Sequence, residues 1–247
     1  MSPIVAELFG TFLMILLGCG VVANVVLKDT KGHAGGWIVI TTAWALAVFV
    51  GVSVAGPYSG AHLNPAVTLS VWMIDEIDTS TALSYVGGQF AGALLASVVV
   101  WLCYRPHFNR TQDGATTQAV FCTAPAIRDR SSNFITEVVA TFVLISTILF
   151  FQEPSMQLEE TAGVIGLGSI GALPVAFLVW GIGLALGGTT GYAINPVRDL
   201  GPRIIYSILP IKPKARFDLS YAWVPVLAPL IGSAIATLLY QILTSAS

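Results

Sequence analysis

Charge is scarce in this chain of 247 residues. Asp, Glu, Lys and Arg together make up only 10% of it, against about 25% in a typical soluble domain, while hydrophobic residues make up 55%. The net charge is -2 and the basic residues form no stripe, so the composition excludes a nucleic-acid partner. With a mean hydropathy of +0.80, the sequence predicts an integral, multi-pass membrane protein.

Cysteine and histidine are also scarce, with 3 of each. The cysteines have no metal-ligand spacing, and their odd number, with two of them in apolar runs, favours buried thiols over a disulfide framework. The histidines are scattered, and the apolar runs contain no Ser-His pair and no paired Asp. The sequence therefore predicts no metal site, no cofactor and no enzymatic function. The three cysteines are Cys19, Cys103 and Cys122, and the three histidines are His33, His62 and His107.

No Lys or Arg precedes the first apolar run, so this run lacks the basic front of a secretory signal peptide and is expected to be retained. It is one of six runs that are long enough to span a bilayer. The polar segment 105–132 is much longer than the other connections and is predicted to be the central external connection. The predicted spans are residues 4–27, 37–56, 82–104, 133–151, 162–188 and 223–243.

Two short stretches resemble each other and organise the rest of the chain. The first, residues 59–67, reads SGAHLNPAV, and the second, residues 190–198, reads TGYAINPVR. Asn directly before Pro is a helix-start signal, because Asn caps free amide protons and Pro fits the first helical position. Each stretch is therefore predicted to be a loop that becomes a helix after Asn64 or Asn195.

The helix after Asn64 is predicted to be short, because its apolar residues, 66–74, end at an acidic cluster. At ~1.5 Å per residue it covers roughly half of a bilayer core. A loop at membrane depth is tolerated only where it is buried in protein or lines a water-filled cavity. We therefore predict two re-entrant half-helices beside the six transmembrane helices.

The two halves of the chain repeat. Residues 6–12, which contain Glu7, match residues 136–142, which contain Glu137. Because a repeated unit of three spans is odd, its second copy must be upside down, which makes an inverted repeat. The predicted fold is a single all-α membrane domain over 1–247. Its repeats cover about 1–105 and 133–247, joined by the loop 105–132, and the half-helix N-termini meet near the midplane.

Two opposed helix N-termini make the midplane electropositive. Each carries about +0.5 charge equivalent, so cations, hydronium included, are repelled. Asn64 and Asn195 are expected to accept backbone amides with their side-chain oxygens and to keep their NH2 groups as donors toward a passage. Glu7 and Glu137 are ionisable groups within spans and are functional candidates for that reason. Their equivalent positions favour hydrogen bonds to the re-entrant loops over a proton relay.

The stretches SGAHLNPAV and GYAINPVRDLGPR resemble the paired Asn-Pro-Ala signatures of the aquaporin family, and the similarity extends over nearly all of the chain. The resemblance implies six spans, two half-helices, one pore per subunit and a homotetramer. Val197 departs from the family pattern, which has Ala there, and its extra methyls put the packing between the helix tips in question. His62 is expected to line or brace the first loop rather than to be a ligand.

Aligned from the signatures, four positions correspond to the constriction that distinguishes the water-selective and glycerol-conducting branches of the family: Trp44, Gly183, Tyr192 and Arg198. The water-selective branch typically carries Phe at the position of Trp44 and His at the position of Gly183. Aromatics opposite a Gly resemble the glycerol facilitators, as does Asp199 after the Arg, which we expect to support the loop. Gly183 is expected to leave room that a His would fill. Arg198 would donate hydrogen bonds to a polyol whose carbons contact the aromatics. For Trp44 ordinary packing is the alternative, and the Tyr192 hydroxyl either binds solute or narrows the ring.

The resemblance implies a passive channel for small uncharged solutes, chiefly glycerol, with water and urea as further solutes and with ions and protons excluded. A second interpretation is a channel used for undissociated lactic acid or other small neutral acids, because basic external segments would concentrate the anion near the mouth. A third, from another class, is a proton-coupled carrier that uses Glu7 or Glu137.

The family orientation, with the termini in the cytoplasm and the chain in the plasma membrane, conflicts with the charge distribution. It places Glu153, Glu159 and Glu160 inside and most basic residues outside, whereas the positive-inside rule predicts the reverse. We adopt the family orientation because the constriction residues match it. The external basic residues are then Lys28, Lys31, Arg105, Arg110, Arg128, Arg130, Lys212, Lys214 and Arg216.

Overall fold

The computed structural model describes residues 1–152, 155–158, 161–164, 166–215 and 218–245, so Glu153, Glu159, Glu160 and Arg216 lie outside the described residues. Within the described part, 6 helices are long and apolar enough to cross a membrane, which confirms the predicted number of spans. The helices are α1 (Pro3–Val26), α2 (Trp37–Ser59), α3 (Pro65–Met73), α4 (Thr79–Arg110), α5 (Gly114–Ala119), α6 (Arg130–Leu149), α7 (Leu173–Ala185), α8 (Pro196–Ile208), α9 (Leu219–Ala222) and α10 (Val224–Ser245), and the strands are β1 (Ser155–Leu158) and β2 (Thr161–Val164).

Two spans begin earlier than hydropathy predicts, because polar caps outside the apolar runs start their helices. Asp78 accepts a hydrogen bond from the amide of Thr81 (2.7 Å) and so begins α4. Asp129 accepts one from the amide of Ser132 (2.9 Å) and begins α6. These bonds satisfy amide protons that have no partner within the first helical turn.

The connection between the repeats is shorter than predicted, since α4 continues past Pro106 to Arg110. A proline inside a helix removes one backbone donor, and here that loss falls close to the C-terminal end of the helix. The connection also contains a helix of its own. Asp113 begins α5 by accepting a hydrogen bond from the amide of Thr116 (2.9 Å).

The fifth span differs most from the prediction. The stretch 162–188 does hold a span, but its first residues are not helical. Residues 162–164 belong to an antiparallel hairpin in which Ser155 pairs with Val164 and Leu158 with Thr161. The late start of the helix coincides with Gly168, which has a φ of 54°. Residues other than glycine rarely adopt this conformation, and it interrupts a regular helix. A 3-10 turn follows, and α7 then begins with Pro174 in its first turn.

The spans pack through close backbone contacts at glycines. A Cβ on Gly92 of α4 would lie 2.2 Å from the carbonyl oxygen of Leu8 on α1. Likewise, a Cβ on Gly232 of α10 would lie 2.4 Å from the carbonyl oxygen of Val138 on α6. The two half-helices α3 and α8 lie between these pairs, and both contact α4 and α10. Of the three thiols, Cys103 is exposed, contrary to expectation, because its face of α4 points away from the other helices.

Candidate functional site

The two half-helices begin with the same cap. Asn64 precedes α3, and its side-chain oxygen accepts a hydrogen bond from the amide of Ala66 (2.8 Å). Asn195 precedes α8, and its side-chain oxygen accepts hydrogen bonds from the amides of Val197 (3.0 Å) and Arg198 (3.2 Å). The oxygens of both asparagines are therefore occupied by their own helices.

The caps also cross-link the two loops. The Nδ2 of Asn64 donates to the carbonyl oxygen of Ile194 (2.8 Å), and the Nδ2 of Asn195 donates to that of Leu63 (2.8 Å). An amide NH2 has two protons, so each asparagine keeps one donor rather than the whole group that the sequence predicted. Both asparagines line the central cavity, which leaves these donors beside the passage.

The loops before the asparagines have a strained backbone. Four residues that are not glycine have positive φ in matching positions: Ala61 (53°), Leu63 (51°), Tyr192 (38°) and Ile194 (44°). Such conformations cost on the order of 1–3 kcal/mol each and persist only where their surroundings hold them. The groups that hold these loops are therefore part of the site.

In the first loop the holding group is Glu7, which is fully buried. Its carboxylate accepts hydrogen bonds from the amides of His62 (2.8 Å) and Leu63 (2.7 Å). It also accepts hydrogen bonds from the hydroxyl of Ser59 (2.6 Å) and the amide side chain of Gln89 (2.7 Å). Gln89 was missed by sequence reasoning, although a polar residue inside an apolar run is itself a signal.

In the second loop the corresponding group is Glu137, also fully buried. It accepts hydrogen bonds from the amides of Ala193 (2.9 Å) and Ile194 (3.0 Å). Among the described residues that line the cavity, neither Glu7 nor Glu137 appears. Both carboxylates thus lie behind the loops, on the side away from the passage.

A cavity of about 400 Å³ is lined by Asn64 and Asn195 together with residues on either side of them. Trp44, Tyr192 and Arg198 line one part of it, and Phe151 and Gln152 line another. Much of the remaining wall is apolar and consists of the side chains of Met14, Val48, Val52, Val67, Leu144, Ile148, Leu167, Val175 and Val179. The cavity therefore combines a few polar groups with a long apolar surface.

The constriction brings Trp44 and Arg198 together. The guanidinium carbon of Arg198 lies 4.1 Å from the centre of the Trp44 ring, a distance typical of a cation–π contact. The Arg198 guanidinium donates a hydrogen bond to none of the described side chains or carbonyls, so its donors are available to a solute. Tyr192 meets Trp37 edge to face, with ring centres 5.7 Å apart.

Gly183 does not leave the open space that the sequence predicted. A Cβ at this position would lie 2.9 Å from the Cζ of Tyr192 and 3.1 Å from the Cγ2 of Thr41. The ring of Tyr192 fills the space, and Gly183 is not among the described residues that line the cavity. The Tyr192 hydroxyl is buried and has no hydrogen-bond partner within the described residues, so it does not face the passage.

His62 lines the cavity next to Asn64. Its Nδ1 lies 3.2 Å from the hydroxyl of Thr68, and its ring meets Tyr85 edge to face at 5.0 Å. Val197 and Cys19, by contrast, are fully buried and do not belong to the described lining. The extra methyls of Val197 therefore lie in the packed interior.

Asp199, which was expected to support a loop, bonds to the connection between the repeats. Its Oδ2 accepts hydrogen bonds from the amide (2.7 Å) and hydroxyl (2.6 Å) of Thr123, which belongs to the connection between the repeats. Arg203 completes the cluster through Nε to Asp199 Oδ1 (2.6 Å) and Nη2 to the Thr123 carbonyl (2.8 Å). Sequence reasoning missed Arg203, although Asp and Arg four residues apart on a helix are a recognisable pair.

Comparison with known proteins gives consistent matches over nearly the whole chain. A family model described as major intrinsic protein matches residues 1–240. A glycerol uptake facilitator protein of Streptococcus pneumoniae (strain ATCC BAA-255 / R6) is 48% identical over 242 residues, 98% of this chain and 99% of its own length. A D/L-lactic acid transporter of Lactiplantibacillus plantarum is 39% identical over 237 residues, 94% of each chain. The X-ray structure of the aquaglyceroporin from Plasmodium falciparum matches with a TM-score of 0.82 at 30% identity, covering 99% of this chain and 98% of that one.

Proposed function

Because this chain belongs to the major intrinsic protein family, we propose that it is a passive membrane channel that conducts small uncharged solutes, chiefly glycerol, together with water. The observation that carries the proposal is the reciprocal hydrogen bonding of the half-helix tips, from Asn64 to Ile194 and from Asn195 to Leu63, beside a cavity of about 400 Å³. Urea is a further candidate solute because it is equally small and neutral.

Polarity accounts for the selectivity. The N-termini of α3 and α8 each present about half a positive charge to the midplane, and this charge repels cations and hydronium. A neutral polyol meets the free Asn64 and Asn195 donors there and the Arg198 donors at the constriction. Its carbons meanwhile contact the apolar wall, so the solute exchanges hydrogen bonds with water for hydrogen bonds with the protein as it moves.

The buried glutamates favour a channel over a proton-coupled carrier. Glu7 and Glu137 accept hydrogen bonds from backbone amides of the strained loops and lie away from the cavity. A proton relay needs contact with the transport path, whereas a group that holds a loop in place does not. We assign both glutamates, with Gln89, to the support of the re-entrant loops.

A second candidate substrate is undissociated lactic acid. The relative from Lactiplantibacillus plantarum is described as a D/L-lactic acid transporter, and it covers 94% of this chain. The neutral acid resembles glycerol in size and in its hydrogen-bonding groups, while the lactate anion would be retained by Arg198. Only the protonated form is expected to cross.

We propose a homotetramer with one pore per subunit in the plasma membrane, with both termini in the cytoplasm. The repeats of about 1–105 and 133–247 are supported by the matching close contacts at Gly92 and Gly232. Cross-linking of the protein in native membranes tests the assembly, since products no larger than a dimer would contradict the tetramer.

Stopped-flow light scattering of proteoliposomes tests the function. Vesicles with the purified protein are challenged with glycerol, with impermeant osmolyte for water flux, and with lactic acid at several pH values. We expect glycerol and water fluxes well above those of empty vesicles, unchanged by an imposed pH gradient. Glycerol flux equal to that of empty vesicles would refute the channel, and flux that follows the pH gradient would favour a carrier. Lactic acid flux that exceeds that of empty vesicles at the same pH, and rises as the pH falls toward the pKa of the acid, would support the second substrate.

A further inference from the structure

We propose that Thr123, in the connection between the repeats, is a positioning residue for the constriction. The inference rests on the proposed channel function, because it concerns which solutes pass. Thr123 does not line the described cavity. It acts through the residues next to Arg198 and Tyr192, and it reaches each of them by a separate route.

The first route runs through Asp199, the residue after Arg198 in the first turn of α8. The Oδ2 of Asp199 accepts hydrogen bonds from both the amide and the hydroxyl of Thr123, at 2.7 and 2.6 Å. Asp199 is fully buried and Thr123 is 5% exposed, so water does not compete for these bonds. A shift of Thr123 therefore displaces Asp199 and, with it, the start of the helix that carries Arg198.

Charge pairing within this cluster keeps Arg198 available to solutes. Arg203, not Arg198, pairs with Asp199, through hydrogen bonds of 2.6 and 3.0 Å. The same guanidinium donates to the carbonyl oxygen of Thr123 (2.8 Å), so Thr123 contacts both partners of a buried ion pair. If this pair loosened, Asp199 would be free to attract Arg198 away from the passage.

The second route runs through Gly191, the residue before Tyr192. A Cβ on Gly191 would lie 3.3 Å from both the Cβ and the Cγ2 of Thr123, so the Thr123 side chain lies directly against this loop. Gly191 has a φ of 84°, which is a conformation that glycine adopts without strain. Thr123 therefore packs behind the turn from which the Tyr192 ring projects.

The connection itself is well anchored, as a positioning element must be. Phe121 packs against Phe108 of α4 and Tyr206 of α8, with ring centres 5.6 and 5.7 Å away. The amide of Cys122 donates to the carbonyl oxygen of Gln118 at the end of α5 (3.0 Å). Thr123 thus transmits the position of a packed segment to both walls of the constriction.

The test compares Thr123→Val with Thr123→Ser by the ratio of erythritol flux to glycerol flux in proteoliposomes. Val keeps the shape of the side chain, including the methyl against Gly191, and the backbone bond, but it lacks the hydroxyl that donates to Asp199. Ser keeps the hydroxyl but lacks that methyl. The ratio does not depend on how many channels are folded, so a merely structural loss leaves it unchanged. Thr117→Val is the matched control, because Thr117 is a fully buried hydroxyl of the same connection that contacts Tyr206 rather than Asp199.

We expect Thr123→Val to raise the erythritol-to-glycerol ratio by roughly three- to tenfold, the factor that corresponds to one hydrogen bond of ordinary net strength. Thr117→Val should stay within about twofold of the wild type. Thr123→Ser keeps the hydroxyl but loses the Cγ2 that packs against Gly191, so it should change the ratio less than Thr123→Val does. An unchanged ratio in Thr123→Val, with glycerol conducted by the wild type, overturns the inference. A wild type that does not conduct glycerol instead refutes the channel itself. If Thr123→Val does not reach the membrane, Thr123→Cys, a much weaker donor, is measured against the same criteria.

Discussion

Single residues at the constriction act through their neighbours. Tyr192 has its ring in the space above Gly183, where a Cβ would lie 2.9 Å from its Cζ. Gly183 does not line the passage, but the absence of a side chain there leaves space for the tyrosine ring between α2 and α7. The passage is wider because the ring occupies that space. A side chain at position 183 would push the ring toward Trp44 and Arg198 and so narrow the passage.

The variant Gly183→Ala tests this dependence on the Tyr192 ring. We expect glycerol flux per channel to fall by about tenfold, the factor equivalent to roughly 1.4 kcal/mol in a barrier, while water flux falls less because water is smaller. Gly181→Ala is the matched control, since a Cβ at Gly181, on the same helix, meets no atom within 4 Å. Both fluxes are measured by light scattering, and equal behaviour of the two variants would show that Gly183 does not position the ring.

The Tyr192 hydroxyl gives a second prediction at this scale. It is buried without a partner in the described part of the chain, and an unsatisfied buried polar group costs about 1–3 kcal/mol. Tyr192→Phe is therefore expected to stabilise the protein against thermal unfolding in detergent and to leave glycerol flux within about twofold of the wild type. A loss of stability would mean that the hydroxyl has a partner, such as an ordered water.

At the scale of elements, the short helix α3 depends on α10. A helix of 9 residues is not stable by itself, so its neighbours must hold it. Three polar side chains of α10 do so along its length. Ser233 donates to the carbonyl oxygen of Ala66 (2.6 Å), Thr237 to the hydroxyl of Ser70 (2.8 Å), and Gln241 to the carbonyl oxygen of Met73 (3.0 Å).

Removing one of these hydroxyls should weaken the whole fold. Thr237→Val keeps the shape of the side chain but loses its bond to Ser70, and we expect the free energy of unfolding to fall by about 1 kcal/mol. Thr147→Val on α6 is the control, because the Thr147 hydroxyl donates only within its own helix, to Val143. Thermal unfolding in detergent checks both variants. A Thr237→Val protein as stable as the control would argue against the support of α3 by α10.

Much of this arrangement was predictable from the sequence, for physical reasons that also explain the failures. Apolar runs and Asn-Pro pairs predict spans and half-helix starts because burial and capping act locally. The hairpin of β1 and β2 was not predicted, because residues 162–164 continue without a charged residue into the apolar stretch that holds the fifth span. The position of the Tyr192 ring beside Gly183 and the hydrogen bonds that Asp199 accepts from Thr123 join residues distant in sequence, and no local pattern predicts such contacts.

At the scale of the whole molecule, charge is divided between two faces. Most of the basic residues lie between α1 and α2, from the end of α4 to the start of α6, or after α8: Lys28, Lys31, Arg105, Arg110, Arg128, Arg130, Lys212 and Lys214. The link between α3 and α4 instead contains Asp75, Glu76 and Asp78 and no basic residue. Some of the basic side chains pair with acids on the same face, as Arg110 does with Asp29 at 2.9 Å. The positive-inside rule favours this basic face in the cytoplasm, while the proposed orientation places it outside.

Accessibility of single cysteines to a membrane-impermeant maleimide distinguishes the two orientations. Cys103→Ala removes the exposed native thiol and leaves Cys19 and Cys122, which are buried. In that background Gln112→Cys places an exposed thiol on the basic face, and Glu76→Cys places one on the opposite face. On intact cells stripped of their wall we expect the first to be labelled and the second only after lysis, because the constriction is proposed to face outward. The reverse pattern would mean that the charge bias sets the insertion, and the Arg198 constriction would then open to the cytoplasm.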